Sequence, residues 1–418
     1  METQLTTTGC PFSSDIDLLA PEYLADPYPH LERLREDTPV AYLPELKLYL
    51  VTRYADVSSV FQDRDTFASA GATSPFFPIC PEAEAILSTG FPRKATLSNC
   101  DPPRHTQMRS AVAQCLTPRR WTRSQPAVRD YATALVQRLA GQPVADLFAD
   151  LTYPLPAFAG FALLGFPPED TDRIKEWCVY RVLLTYGKLE APEQVKAARE
   201  LTAFWSYVEA HVRKRMVEPA DDLTTDLLDL SAKSPDTLTT EDVINMVYSI
   251  GLASHETSQN AMLNGLRRIL ADRPQWEALC ADPALIPNAV EELLRFDAPA
   301  IGLRRHVTRD TEIGGLAIPK GATVMLMTGS ANHDPAQFAE PKRLDIRRAN
   351  ARSHLSFGKQ WHFCLGTPLA RFEYHLVLQL LTSLTPRMRL VDKQQIRYLP
   401  ILQFRGMDHL LVEPAPAA

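Results

Sequence analysis

Apolar residues recur at helical spacing along most of the chain, which predicts a mainly α-helical protein. Connections rich in Pro, Asp and Gly separate the helical blocks. The blocks are Tyr28–Glu36, Tyr54–Phe61, the stretch from Arg104 to Phe148, Ala157–Leu164, Asp170–Tyr186, Pro192–Val217, Leu223–Ala232 and Ile286–Phe296. Shorter segments of strand character add a minor β component: Val40–Leu43, Leu48–Thr52, Ile301–Val307, Gly315–Ile318, Ala322–Met327 and a tail ending at Val412.

Two longer segments stand out from this pattern. Thr239 and Asp242 form a capping box, and the periodicity behind it predicts one helix running to about Leu270. The segment from Ala70 to Ser98, in contrast, has four prolines and two glycines among its apolar residues and is expected to be a long irregular loop. Loops of that length inside a compact domain are usually functional, although a loop that merely closes part of the core is the alternative.

Composition narrows the class of protein. The 418 residues carry a net charge of −6, and 22% of them are charged, as in a soluble globular protein. No basic run indicates nucleic-acid binding, and the seven scattered cysteines have neither zinc-site spacing nor the density of a disulfide scaffold. Residues 1–17 lack a signal-peptide pattern and are expected to be a flexible segment before a single domain of residues 18–418. We therefore expect a cytoplasmic protein without a membrane or nucleic-acid partner.

One cysteine lies in a loop bounded by glycines. The segment reads Phe357-Gly358-Lys359-Gln360-Trp361-His362-Phe363-Cys364-Leu365-Gly366 and leads into a predicted helix, Leu365–Leu376. Glycines at 358 and 366 allow backbone geometry closed to other residues. The amides at the start of the helix favour a thiolate, which can ligate iron. A lone cysteine is otherwise more often a small buried hydrophobe.

This segment resembles the haem-ligand loop of the cytochrome P450 monooxygenases, Phe-Gly-x-Gly-x-His-x-Cys-x-Gly, at five of six fixed positions. Gln360 stands in place of the second glycine, so the turn either avoids a positive φ or tolerates a strained residue there. The resemblance implies that Cys364 ligates the iron of haem b, with Phe357 and Gly358 beside the cofactor. The order of elements is like that of the family's mainly α, single-domain fold.

A second motif lies in the middle of the long predicted helix. Residues Gly251–Ser258 resemble the family's Ala-Gly-x-Asp/Glu-Thr, with Ser254 replacing the glycine. The resemblance implies that Glu256 and Thr257 are the catalytic acid and alcohol that deliver protons during oxygen activation, and that Ala253 contacts the cofactor. A threonine hydroxyl can also bond the carbonyl one turn back and loosen the helix. The alternative is a close helix crossing that requires small residues.

Basic residues for the two haem propionates are expected from three separate segments. His105 and Arg109 are four residues apart and therefore lie on one face of a predicted helix. The segment from Asp101 to Arg109 resembles the family's Asp-Pro-Pro-x-His-x-x-x-Arg. Arg305 and His362 match the family's remaining propionate ligands, which neutralise the buried carboxylates. Each of the four could, taken alone, be a surface residue or a satisfied core histidine.

A further match concerns structure alone. Glu292 and Arg295 correspond to the family's Glu-x-x-Arg element, which precedes the cysteine loop and joins its helix to that loop. We expect this pair to be a marker of the fold and not part of the catalytic set. Solvated Glu/Arg pairs of the same spacing occur on many helices.

The resemblance implies a haem-thiolate monooxygenase that inserts one oxygen atom from dioxygen into a small or medium hydrophobic organic substrate. No Gly-x-Gly-x-x-Gly or other phosphate-binding loop is present, so electrons are expected from a separate ferredoxin and its reductase. The ferredoxin is expected to dock at four basic residues: Lys359, Arg104, Arg119 and Arg120. The alternatives are a haem-thiolate peroxygenase or isomerase, or a non-enzymatic haem-binding sensor.

The substrate is expected to lie among segments that are largely apolar. These are Ala70–Ser98, Trp177–Tyr186, Leu252–Ala253, Ala300–Leu303 and Ile401–Phe404.

Overall fold

The computed structural model describes residues 16–92 and 94–415. Within these ranges the chain is mainly helical with small β-sheets, which confirms the predicted fold class. The predicted flexible segment, residues 1–17, lies outside the described residues except for Ile16 and Asp17. No described helix is both long and apolar enough to cross a membrane.

Sixteen α-helices occur in the described ranges, and each predicted helical block overlaps at least one of them. In chain order they are α1 (Pro21–Ala25), α2 (Tyr28–Asp37), α3 (Tyr54–Gln62), α4 (Pro81–Gly90), α5 (Arg104–Cys115), α6 (Pro118–Ala140), α7 (Pro154–Leu164), α8 (Thr171–Tyr186), α9 (Ala191–Val217), α10 (Leu223–Lys233), α11 (Thr240–Ala253), α12 (Glu256–Ala271), α13 (Arg273–Ala281), α14 (Ile286–Phe296), α15 (Thr328–Ala331) and α16 (Thr367–Leu384).

The strands of the described ranges form three small sheets. They are β1 (Val40–Leu43), β2 (Leu48–Val51), β3 (Phe67–Ala68), β4 (Ala145–Asp146), β5 (Leu303–Val307), β6 (Thr311–Ile313), β7 (Leu316–Ile318), β8 (Thr323–Leu326), β9 (Arg389–Leu390) and β10 (Leu411–Glu413). The largest sheet has the order β1-β2-β8-β5-β3, the second β4-β10-β9, and β6 pairs with β7.

The five-stranded sheet contains one parallel pair. β2 runs parallel to β8, with Tyr49 opposite Val324, whereas β5 is antiparallel to both β8 and β3. Successive side chains of a strand point to opposite faces. Arg304 and Arg305 of β5 therefore project from different faces of this sheet.

The largest core cluster joins helices from distant parts of the chain. Leu263 of α12, Leu293 of α14 and Val377 of α16 are all fully buried within it. Gly265 lets α12 approach α16 closely, because a Cβ atom at this position would lie 1.6 Å from the Tyr374 hydroxyl oxygen. The helix after the cysteine loop is thus packed directly on the second half of the long helical region.

The Glu292–Arg295 pair joins α14 to the segment before the cysteine loop, as expected of a fold marker. Arg295 Nε donates to Glu292 Oε2 at 2.7 Å, and both side chains are fully buried. Arg348 Nε donates to the same carboxylate at 3.1 Å. Arg295 Nη1 also donates to the carbonyl oxygens of Asn332 and Pro341. Since buried charges are tolerated only when paired, this network holds the segment in place.

The expectation of an irregular loop from Ala70 to Ser98 is wrong for its middle part, which forms α4. Pro81 occupies the start of this helix, where its missing N–H is not needed. Leu87 is buried against α9, and this packing stabilises a short helix that would be marginal alone. The segments on either side of α4 remain irregular.

The expectation of one helix from Thr239 to Leu270 is also wrong, because the helix is interrupted at Ser254 and His255. The capping box is present, with the Thr239 hydroxyl accepting from the amide of Asp242. His255 has φ −128° and ψ −50°, outside the α-helical range, and α12 begins directly after it. The interruption lies in the motif that the sequence singles out.

Candidate active site

The cysteine loop is closed by a backbone hydrogen bond. The Cys364 amide donates to the Phe357 carbonyl oxygen at 3.0 Å, and Gly358 has a φ of +69°. Gln360 has a φ of +57°, so this position of the turn is left-handed although glutamine replaces the usual glycine. The helix after the loop begins at Thr367, two residues later than predicted. Gly366 has a φ of −77°, which any residue can adopt, so the expectation of special backbone geometry there is wrong.

Cys364 is exposed to solvent in the cysteine loop. Desolvation raises the pKa of this thiol above its usual value. The amides of Gly366 and Thr367, the Thr367 hydroxyl and the Arg109 guanidinium act in the opposite direction. The amides therefore favour the thiolate as expected, but burial is the larger influence. A metal ion would complete the deprotonation, since a coordinating thiol loses its proton.

The four residues expected at the propionates lie around the cysteine loop. The His105 and His362 rings are 4.1 Å apart between centroids, and Arg109 Nη2 donates to the Phe363 carbonyl oxygen at 2.8 Å. Burial, followed by the nearby Arg305, lowers the pKa of His362 to about 3. Both ring nitrogens of the buried His105 have no hydrogen-bond partner among the described residues.

Arg305 is buried without an ion pair among the described residues. Its Nη1 atom donates only to the Arg304 carbonyl oxygen, at 2.7 Å. Desolvation lowers the pKa of Arg305 to about 10, and the charge of Asp101 acts in the opposite direction. A neutral imidazole donates through one nitrogen, so the unpaired guanidinium of Arg305 and the unsatisfied ring of His105 together offer donors that fit two carboxylates.

Thr257 lies at the interruption between α11 and α12. Its hydroxyl donates to the Ala253 carbonyl oxygen at 3.3 Å, one turn back. His255 Nδ1 lies 3.1 Å from the Gly251 carbonyl oxygen. Side chains thus satisfy carbonyl groups that an uninterrupted helix would bond through its amides. The predicted bond from the threonine hydroxyl to the carbonyl one turn back is therefore present beside the interruption.

Ser254 faces away from this site. A Cβ atom on Gly160 of α7 would lie 2.3 Å from the Ser254 hydroxyl oxygen, so the two residues are in close contact. The alternative of a close helix crossing thus holds for Ser254. It does not hold for Thr257, which lines the cavity described below.

Glu256 has a carboxyl group whose pKa is raised to about 7, because burial outweighs the charge of Lys175. Lys175 of α8 is itself buried, and burial lowers the pKa of its amine to about 8. Lys175 Nζ donates to the Tyr153 carbonyl oxygen at 2.9 Å and to Gln259 Oε1 at 3.1 Å. An acid with a pKa near neutrality can both release and accept a proton at physiological pH.

A cavity of about 590 Å³ lies beside Ala253, Glu256 and Thr257. Apolar residues from several predicted substrate segments line it, and examples are Ile79, Phe91, Leu184, Leu252, Leu303, Ile401 and Phe404. Trp177, which was expected at the substrate, instead packs in the core against the Phe204 ring at 5.7 Å. The segment around α4 lines the cavity, so it does more than close the core.

Several residues at the site were not found from the sequence. Lys175 is more than seventy residues away from Glu256, and no local pattern connects them. Arg304 and Arg305 both line the cavity, although only Arg305 matches a motif of the family.

The surface expected to bind ferredoxin carries fewer free charges than predicted. Arg104 pairs with Asp242, and Arg120 pairs with Asp221 and Asp226. Lys359 Nζ donates to the Ser58 hydroxyl at 2.7 Å. Beside Lys359, however, the loop exposes two aromatic side chains, Trp361 and Phe363.

The sequence of this chain is similar to those of known cytochrome P450 proteins. The cytochrome P450 family model matches residues 284–385. The cytochrome P450 monooxygenase PikC of Streptomyces venezuelae is 32% identical over 98% of this chain and 96% of its own length.

Two solved structures have the same fold. Cytochrome P450 CREJ in complex with (4-ethylphenyl) dihydrogen phosphate has a TM-score of 0.91 and 34% identity, and covers 93% of this chain and 97% of its own. An intact type IV self-sufficient cytochrome P450 monooxygenase has a TM-score of 0.92 and 36% identity over 97% of this chain and 53% of its own.

The fold and the similarities define an oxidoreductase of the monooxygenase class. The chain belongs to the cytochrome P450 family. Membership implies a haem-thiolate cofactor, and the residues present fit one: an exposed cysteine, an imidazole ring without a hydrogen-bond partner and a buried guanidinium without an ion pair lie together in the described chain. Such donors are costly to bury unless a polyanionic group binds them.

Proposed function

We propose that this protein binds haem b and uses it to insert one oxygen atom from dioxygen into an organic substrate. Cys364 would ligate the iron, and Phe357, Gly358 and Ala253 would border the cofactor. His105, Arg109, Arg305 and His362 hold the propionates. The observation that carries this assignment is the pair of unsatisfied His105 nitrogens beside the cysteine loop. Bound haem supplies the redox-active iron on which dioxygen chemistry depends.

Glu256 and Thr257 move the protons that oxygen activation consumes. The pKa of Glu256, raised to about 7, lets this carboxyl pass on a proton and be reprotonated at neutral pH. Thr257 borders the same cavity with its hydroxyl hydrogen-bonded to Ala253, so the hydroxyl is oriented before substrate arrives. Lys175 stabilises the ionised form of Glu256 and keeps its pKa from rising further.

Electrons reach the haem from a separate ferredoxin with its reductase. The supporting observation is the exposure of Trp361 and Phe363, at 43% and 39%, on the loop that carries the ligand. The Arg64 guanidinium lies 3.8 Å from the centroid of the Trp361 ring and is ion-paired with Asp65 at 3.7 Å. An acidic ferredoxin would complement Lys359.

The substrate has a small or medium apolar body, because most of the cavity is lined by apolar and aromatic side chains. The similar CREJ structure contains (4-ethylphenyl) dihydrogen phosphate, a ligand with an aromatic body. The cavity of about 590 Å³ would be shared between haem and substrate, because Ala253 and Arg305 also line it.

Turnover of the haem-loaded protein tests this function against its alternatives. Product that requires dioxygen and a ferredoxin system indicates the monooxygenase. Product with peroxide alone indicates a peroxygenase, product without either indicates an isomerase, and binding without any product indicates a sensor. The Cys364→Ala variant serves as the control for background haem chemistry.

A further inference from the structure

The cavity contains two arginines that the proposed chemistry does not use. Arg181 of α8 and Arg304 of β5 both line it. Arg181 Nη2 donates to the Thr73 carbonyl oxygen at 3.2 Å, and Arg304 Nη2 donates to the carbonyl oxygen of the next residue, Ser74. The two guanidinium groups thus converge on the same two-residue segment from different elements of the fold.

Neither guanidinium has a carboxylate partner among the described residues. Among the buried arginines of the described residues, Arg295 is ion-paired with Glu292 and Arg405 with Asp297 at 2.9 Å, whereas Arg305, like Arg304, has no ion pair. Arg304 is only 6% exposed, and its Nε atom is buried without a hydrogen-bond partner among the described groups. A buried, unpaired guanidinium with a free donor is costly unless a ligand supplies the acceptor.

Charge repulsion makes the arrangement more costly still. Burial, and then the neighbouring Arg181, lower the pKa of Arg304 to about 10. The acid that lines the same cavity, Glu256, is influenced by Lys175 and not by these arginines. Lys94, at the exposed part of the cavity wall, adds a third positive charge.

The guanidinium of Arg304 is held in one orientation. It lies 3.7 Å from the centroid of the Phe76 ring, and its Nη2 atom is engaged by Ser74. Arg181 is fixed in the same way by its bond from Nη1 to the Thr185 hydroxyl. Donors fixed in advance lose little entropy on binding an oxyanion, and arginine forks match carboxylate and phosphate geometry.

We propose that Arg181 and Arg304 form a subsite for an oxyanion, so that the substrate is an amphiphile with a carboxylate or phosphate head and an apolar body. This inference deepens the proposed function and rests on it. The head lies against the Thr73–Ser74 segment, and the apolar body extends along Leu252 toward Thr257.

Calorimetric titration of the haem-loaded full chain tests this subsite with three probes of equal apolar body: 4-butylbenzoate, 4-butylphenyl phosphate and the neutral 4-butylbenzamide. We expect both anions to bind at least about tenfold more tightly than the amide. The stronger of the two anions identifies the head group. Equal binding of anions and amide would overturn the proposal.

Single substitutions test whether the two arginines cause the preference for anions. Arg181→Gln and Arg304→Gln should each lower the affinity for both anions at least about tenfold. The affinity for the amide should change less than about threefold. Arg309→Gln removes the same charge from an exposed side chain outside the cavity and should change nothing. An equal loss for all three probes would show that the arginines only hold the Thr73–Ser74 segment, and would overturn the proposal.

The two proposals fail in different ways. If the wild type selects anions but forms no oxygenated product with dioxygen and ferredoxin, the proposed function fails and the oxyanion subsite stands. If it oxygenates substrates but shows no preference for anions, the subsite fails and the proposed function stands.

Discussion

The hydroxyl of Thr257 donates to the carbonyl oxygen of Ala253, 3.3 Å away, across the interruption of the long helical region. The Glu256 carboxyl group lies directly before it in the chain, and both residues line the cavity. An acid and an alcohol are thus placed together where helical hydrogen bonding is interrupted. This arrangement is the basis of the proposed proton delivery.

Replacing Thr257 should separate oxygen reduction from product formation. In Thr257→Ala we expect haem and substrate binding to persist, whereas product per electron consumed falls by at least about tenfold and hydrogen peroxide rises, because proton delivery is impaired. Thr257→Ser keeps the hydroxyl and should retain most of the coupling. Unchanged coupling in Thr257→Ala, measured as product against reductant consumed, would assign proton delivery to another group.

The contact between Gly160 and Ser254 should limit what either position tolerates. A Cβ atom at 160 would lie 2.3 Å from the serine hydroxyl oxygen and 2.6 Å from its Cβ atom. Gly160→Ala should therefore lower the free energy of unfolding by about 1–3 kcal/mol, as overpacking does. Denaturant unfolding measures this difference.

The matched control for that prediction is the double variant Gly160→Ala with Ser254→Gly. It removes the clashing side chain and should recover most of the lost stability, which gives a positive coupling energy in a double-mutant cycle. Additive effects of the two substitutions would show that the contact is not the cause.

Glu256 should titrate near neutrality. Its pKa is raised from 4.5 to about 7, so the folded state keeps this proton in a window where the unfolded state has lost it. The contribution of this proton to stability is therefore lost as pH rises from about 4.5 to about 7. Infrared spectra of the wild type minus Glu256→Gln should show a protonated carboxyl band that disappears with a midpoint near pH 7.

A second buried carboxyl provides the control for that experiment. Burial raises the pKa of Glu373 to about 8, and a hydrogen bond from Ser258 acts in the opposite direction. The wild type minus Glu373→Gln spectrum should show a separate band with a higher midpoint. The absence of any band lost at pH 6–8 in the Glu256 difference would contradict the raised pKa.

Charge reversal at Lys359 should slow reduction by an acidic ferredoxin. This residue lies beside the exposed aromatic side chains of the cysteine loop, and Lys359→Glu should also flatten the dependence of the rate on ionic strength. Lys196→Glu makes the same change on α9, which packs against α4 and α8, and should have no effect. Stopped-flow measurements give the rate of reduction and its salt dependence for both variants. Identical rates and salt dependence in wild type and Lys359→Glu would exclude this docking site.

Local signals predicted much of the fold. The helix Ile286–Phe296 has the predicted bounds, and its proline near the start and its apolar face are both readable in the sequence. The same reasoning failed at α4, because Pro81 was taken to interrupt a segment that it in fact starts. Whether a proline breaks a helix or begins it depends on packing, here of Leu87 against α9.

The site was predictable only where a motif is local. The cysteine loop and the residues Glu256 and Thr257 stand in contiguous segments, so resemblance located them. The interruption at Ser254 was not visible, because it depends on side-chain bonds and on contact with Gly160, ninety-four residues earlier. Lys175 reaches Glu256, and Arg304 reaches the cavity, through tertiary packing that no spacing along the chain indicates, whereas Arg181 lies within the predicted substrate segment Trp177–Tyr186.

The most direct test of the account is the absorption spectrum of the reduced carbon monoxide complex in wild type and in Cys364→Ala. Thiolate ligation by Cys364 predicts the band at the wavelength characteristic of haem-thiolate proteins in the wild type and its loss in the variant. Cys280 lies near the Pro386 carbonyl oxygen and outside the site, so the Cys280→Ala variant should keep the band. Survival of the band in Cys364→Ala would contradict the assignment of Cys364 as the ligand.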